Sequence, residues 1–162
     1  MRKYLYILVA CLLFTGCNKS ETFETLGQID HQQQIPAEAA SVILAIPESA
    51  SLEVFGGDGR VYDCDGFTLV IQTLSGGDIY ATVQQISGFH PTKLTMLESS
   101  VGNAKRYDWV WTAMADNGQM MCRAAVLDDG NYHYCVYTMA PATDAGALTA
   151  QWNQLYGSVR LK

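Results

Sequence analysis

The chain has 162 residues, the length of one domain, and it is 49% hydrophobic with 16% charged residues and only 4 Pro. That composition excludes a disordered polymer and predicts one globular core. Ten Lys+Arg against 16 Asp+Glu give a net charge of -6, which argues against nucleic acid and anionic surfaces as electrostatic partners and for a solvated, acidic exterior.

The first residues carry the sharpest signal. Arg2 and Lys3 precede an eleven-residue uncharged run, Tyr4 to Phe14, which ends in Thr15-Gly16-Cys17. A bilayer takes about 20 apolar residues to cross, so this is a secretory signal and not a span. Leu13-Phe14-Thr15-Gly16-Cys17 resembles the lipobox of bacterial lipoproteins, with Phe14 where an aliphatic residue is usual. The resemblance implies cleavage after residue 16 and lipidation of Cys17; an ordinary signal peptide cut elsewhere, or an uncleaved anchor, is the alternative. Two or three acyl chains anchor stably where one does not, at about 0.8 kcal/mol per buried CH2. Loss of Arg2 and Lys3 with the leader leaves 8 basic against 16 acidic side chains over 146 residues, a net -8. Residues 17–35 are expected to comprise the lipidated cysteine and a flexible polar tether, which would hold the domain roughly 20–25 Å from the headgroups.

A single α+β domain is expected over 36–162. Pro36 and the Ala-rich start that follows suit a short helix, while Val42-Ile43-Leu44 suits a buried strand equally well, so this segment stays open. From Leu52 to Leu74, short β-prone runs are punctuated by Gly56-Gly57-Asp58-Gly59 and Asp65-Gly66, which predicts three antiparallel strands. Asp78 to Ser87 places Ile79, Val83 and Ile86 on one helical face, with Asp78 as the cap and Gly88 as the stop. Turns at Gly102-Asn103, Asp116-Asn117-Gly118 and Asp128 to Asn131 then divide four strands of a meander. Thr143 or Asp144 caps a closing helix with Leu148, Trp152, Leu155 and Tyr156 on one face, expected to lie across the sheet.

Element order and four segments carry a family resemblance: SGGDIYATVQQISGF, KRYDWVWTA, CRAAVLDDGNYHYCV and LTAQWNQLYGSVRL. Together they resemble the PsbP/DcrB-like fold over about residues 40 to 162. The resemblance implies an antiparallel sheet flanked by helices, an α/β/α sandwich. It also implies a binding or assembly protein, the group's members including bacterial lipoproteins, a photosystem extrinsic subunit and a Ran-binding protein.

Candidate chemistry is sparse. After the leader, Cys64, Cys122 and Cys135 remain besides Cys17, an odd count that outside the cytoplasm suggests one disulfide and one free thiol. A hairpin centred on Asp129-Gly130 makes Cys122 and Cys135 diagonal neighbours on one face. One centred on Asp128-Asp129 sets them directly opposite, and a three-residue loop separates them to opposite faces. Cys122–Cys135 is the favoured disulfide, with Cys64 pairing to either, or no disulfide at all, as the alternatives. His31, His90 and His133 lack ligand spacing, and Asp58, Asp63 and Asp65 do not match a calcium loop, so no metal and no cofactor are expected. No Gly-x-Ser-x-Gly elbow or Cys-x-x-Cys is present, and no catalytic residue is expected. Tyr107, Trp109 and Trp111 alternate onto one face, either as a core under the closing helix, which the partners needed by Trp152 and Tyr156 favour, or as a candidate binding surface. Lys105, Arg106 and Arg123 form the only basic cluster, explicable as cross-strand partners of turn acids. The function expected is a non-enzymatic, membrane-anchored lipoprotein outside the cytoplasm. It would bind or help assemble another envelope protein, and a small-molecule or ion-binding lipoprotein is the alternative.

Overall fold

In the computed structural model, residues 38–54, 59–116 and 118–162 are described. The leader, Cys17, the tether, His31, Pro36 and Asp58 lie outside them. Seven strands make one fully antiparallel sheet. A hairpin-linked trio comes first, β2 (Ser51–Val54), β3 (Gly59–Cys64) and β4 (Phe67–Ser75). A meander follows, β5 (Met96–Val101), β6 (Ala104–Ala115), β7 (Gly118–Asp128) and β8 (Tyr132–Pro141). The spatial order is β2-β3-β4-β8-β7-β6-β5, so the meander folds back and its last strand docks on β4.

The connection from β4 to the far-edge strand β5 contains α1 (Ile79–Ser87). The Asp78 carboxylate accepts the Tyr80 N–H at 2.9 Å, filling one of the donors left free at a helix start. Gly88 ends the helix in the left-handed region at φ 75, donating its N–H to Gln84 O. A 3-10 turn at Pro91–Lys93 leads on into β5. The closing helix α2 spans Ala145–Ser158, and Trp152, Leu155 and Tyr156 are its buried residues, as the sequence pattern expects.

Each face of the sheet carries its own core. On one face Val83 of α1 packs with Tyr107, Trp109, Trp111, Cys122, Ala124, Val126 and Cys135. On the other, Trp152, Leu155 and Tyr156 of α2 pack with Tyr62, Phe67, Leu69, Leu127, Tyr134 and Val136. Trp152 meets Phe67 edge to face at 6.1 Å.

The segment left open by the sequence is a strand. β1 (Val42–Ile43) pairs antiparallel with β9 (Arg160–Leu161), a two-residue strand after α2 that local pattern does not mark. Lys162 N–H bonds to Ser41 O at 3.0 Å, and Ser158 Oγ accepts the Ala45 N–H at 2.7 Å. Val42 and Leu44 thereby join the α2-side core. Two residues of β-branched sequence gain a strand partner only because the last residues of the chain arrive beside them.

Candidate functional site

The aromatic row is core. Tyr107, Trp109 and Trp111 are 7%, 3% and 7% exposed, so they are not a binding surface. Their cover is α1 and not the closing helix, whose Trp152 and Tyr156 lie on the opposite face. Alternation fixes that the three share a face, but both faces of this sheet are apolar, and only the path of the chain decides which helix covers which. Trp109 and Trp111 stack at 6.1 Å.

The expected Cys122–Cys135 disulfide is absent, and all three cysteines of the described domain are free and buried. The register explains this. Cys122 lies opposite Met139 and Cys135 opposite Val126, on the same face but four positions apart. At about 3.4 Å per residue that is roughly 14 Å, twice what a disulfide spans. Cys64 sits in the other core, across the sheet. The turn sets this register. Asp128 Oδ1 accepts the Gly130 N–H at 2.8 Å, and Asp129 Oδ1 accepts those of Asn131 and Tyr132, also at 2.8 Å. Gly130 takes φ 90, and the turn centres on Gly130-Asn131, later than any expected position. Burial pushes the Cys64 and Cys122 thiols up to about 11, with Asp63 adding to the effect on Cys64, and pushes Cys135 up to about 12. These thiols stay protonated and unreactive.

The basic residues do not act as a cluster. Lys105 lies across from Asp128 in register and 3.9 Å from Glu98. Arg106 is on the other face, held by two bonds to Asp108 of 2.7 and 2.8 Å. Arg123 lies 4.3 Å over the Tyr156 ring and donates to Asn153 Oδ1 at 2.9 Å. Lys105 thus reaches an acid across the strands, but Glu98 lies within β5 and not in a turn, and Arg106 and Arg123 have other partners. His133 is buried under α1 with Nδ1 2.7 Å from Thr82 Oγ1, tying the helix to β8. His90 caps the 3-10 turn, its side chain accepting from Thr92 N. Among the described residues no three His, Cys, Asp or Glu side chains gather as a metal-binding group, and Asp63 and Asp65 lie at the β3–β4 turn.

Two surface features remain. A cleft of about 500 Å³ opens between the 39–42 segment and strands β3 and β4, lined among others by Ser41, Arg60, Thr73, Ser75 and Tyr132. Its wall is fixed by Tyr134, which accepts the Ala40 N–H at 2.9 Å and donates to Asp129 Oδ2 at 2.7 Å. The sequence did not mark this cleft, because its lining comes from four separate segments with no shared motif. The second feature is a stretch of apolar surface, Leu97, Val110 and Met114, at the β5–β6 edge.

Comparison with protein-family models and with curated proteins finds no match. Solved structures do match in fold. The cyanobacterial PsbP (CyanoP) of Synechocystis sp. PCC 6803 superposes with a TM-score of 0.56 at 7% identity, over 78% of this chain and 95% of that one. The chain has a PsbP-like fold. LpqN of Mycobacterium tuberculosis, a protein involved in cell envelope biogenesis, gives 0.51 at 13% identity, over 76% of this chain and 84% of that one. A Bacteroides thetaiotaomicron protein gives 0.50 at 8% identity; the match covers 75% of this chain but only 45% of the Bacteroides protein. The PsbP-like sheet is what brings β8 beside β4 and leaves β5 and β2 as edges.

Proposed function

We propose that this is an extracytoplasmic protein, lipid-anchored to a membrane of the cell envelope through Cys17, that binds or helps assemble another envelope protein and has no catalytic activity. Its PsbP-like domain is read as an α/β/α sandwich serving as a rigid binding body. The observation that carries the reading is the pairing of Leu13-Phe14-Thr15-Gly16-Cys17, behind a short uncharged run, with a PsbP-like domain downstream. The role of LpqN in envelope biogenesis supports it at the level of fold. Among the described residues no helix is long and apolar enough to cross a membrane, which suits attachment by acyl chains. The buried thiols and the histidine held by Thr82 are structural in this reading.

The test is metabolic labelling with a palmitate analogue. The wild type is expected to incorporate label and sediment with membranes, and Cys17→Ser to lose both and accumulate as precursor. Unchanged processing and partitioning of Cys17→Ser would refute the anchor. The cleft favours a second reading, a small-molecule binder, since its size falls in the usual ligand range and Arg60 beside four hydroxyl-bearing residues suits a small anion. A thermal-shift screen of small carboxylates and phosphates, with Arg60→Ala as control, decides it.

A further inference from the structure

β6 has twelve residues and β5 six, so β5 covers only part of the outer side of β6. The β5–β6 register stops at Met96↔Trp109, while the β6–β7 register continues to Ala115↔Gly118. Val110–Ala115 therefore has a ladder partner on one side and none on the other among the described residues. A two-residue loop makes Ala115 and Gly118 the closing hydrogen-bonded pair, and alternation from there turns the N–H and C=O of Val110, Thr112 and Met114 away from β7. Among the described residues none of these groups enters a main-chain bond of a turn or loop.

The exposed side chains coincide with the open main chain. Val110, Thr112 and Met114 share a sheet face with Leu97, which lies opposite Asp108. Leu97, Val110 and Met114 are 68%, 58% and 78% exposed, three of the six large apolar residues that face solvent among the described residues. Sheet edges are normally blunted by charge, proline or brevity. β2 is four residues long and carries Glu53, and β5 carries Glu98. Val110-Trp111-Thr112-Ala113-Met114-Ala115 has no charge, no Pro and no Gly.

We propose that the open half of β6, Val110–Ala115, is a docking edge for an extended, uncharged segment of an envelope protein, which adds as a strand in line with β5. The proposal rests on the binding reading above and specifies its surface. A second copy fits poorly. Three exposed apolar side chains are a small patch against about 800 Å² per partner for a stable interface, and each copy carries a net charge of -8 once the leader is lost. A bilayer fits poorly too, because lipid cannot satisfy open N–H and C=O groups. A strand of about six residues satisfies both features, its main chain closing the ladder and its alternate apolar side chains covering Leu97, Val110 and Met114.

The test uses the full lipidated protein in its native envelope, with a photoreactive phenylalanine analogue at position 114 and, as control, at position 53 on the opposite edge. Position 114 is expected to trap one partner through a single extended stretch of about six residues, and position 53 not to trap it. Thr112→Pro removes an outward N–H while sparing the β7 ladder, and is expected to cut the yield at least tenfold with an unchanged melting profile. Val110→Glu, at an exposed position, is expected to do the same should the proline variant fold poorly. Crosslinks to a second copy, to residues 17–37 or to lipid alone overturn the proposal. So does an unchanged yield in a natively melting Thr112→Pro or Val110→Glu variant. A partner fixed by a general crosslinker but never from position 114 refutes this edge and leaves the binding reading standing. No partner by either route refutes both.

Discussion

Replacing Tyr156 with Phe deletes one oxygen at a point where three elements meet. Tyr156 is fully buried, and its hydroxyl donates to Arg123 O of β7 at 2.5 Å and lies 3.1 Å from Thr138 Oγ1 of β8, which donates to it in turn. Thr138 is itself fully buried and makes no other side-chain hydrogen bond among the described residues. Arg123 and Thr138 are a ladder pair, so Arg123 O keeps its main-chain bond and Tyr156→Phe takes only its second partner, while the buried Thr138 hydroxyl loses its acceptor. One stranded hydroxyl and one lost bond make a loss of about 1–3 kcal/mol the expectation. Thr138→Val removes one hydroxyl and leaves the Tyr156 bond to Arg123 O intact, so about 1 kcal/mol is expected there. The double variant should cost less than the two singles together, because the valine has no donor left to strand. Urea titration of the three variants and the wild type at constant m measures this cycle. A Tyr156→Phe variant within 0.5 kcal/mol of wild type, or strict additivity of the pair, would refute the account of how α2 is held to the sheet.

Trp109→Ala is expected to lose about 3–5 kcal/mol of stability, as a core truncation does, in a denaturant titration. Non-reducing mass spectrometry of the 36–162 domain should find three free thiols that iodoacetamide modifies only after denaturation; a mass two hydrogens lower would refute the register. Burial alone would raise the Asp129 carboxyl, but bonds from the Tyr134 hydroxyl and the N–H groups of Tyr132 and Asn131 outweigh it and hold the group below its ordinary 3.8. A depressed native value means that its stabilisation is present above about pH 4 and fades as pH falls through the native value. Asp129→Asn should accordingly flatten the acid limb of a stability-against-pH curve, and an unchanged limb would show those bonds to be weak. Gly76 donates its N–H to Asn131 O at 2.7 Å, and a Cβ there would sit 2.6 Å from that same oxygen. Gly76→Ala is thus expected to cost about 1–3 kcal/mol by forcing β4 off the β7–β8 turn, which thermal melting would show.

Local chemistry made much of the fold legible. Asp78 and Gly88 bound α1 because a free N–H and a left-handed stop are satisfied within a few residues, whatever lies elsewhere. The spacing of Trp152, Leu155 and Tyr156 announced a helix with one buried face, and paired Gly, Asn and Asp residues marked the hairpins of the meander. The same periods placed Tyr107, Trp109 and Trp111 on a common side.

Partnership was decided only in three dimensions. With apolar residues on both sides of the central strands, periodicity cannot say that α1 covers the tryptophans while α2 covers Phe67 and Tyr134. The β1–β9 pairing depends on residues more than a hundred apart, so no window of sequence contains it. Cysteine pairing turned on where one hairpin bends, and two aspartates gripping three N–H groups moved that bend far enough to hold the thiols apart. The open edge of β6 likewise exists because β5 is shorter than its neighbour and its chain joins the sheet only at Met96, opposite Trp109. Sequence by itself set which residues are apolar, where the chain turns and where a lipid anchor is expected. Tertiary structure set which apolar surfaces meet, because that choice is made by long-range closure of the chain.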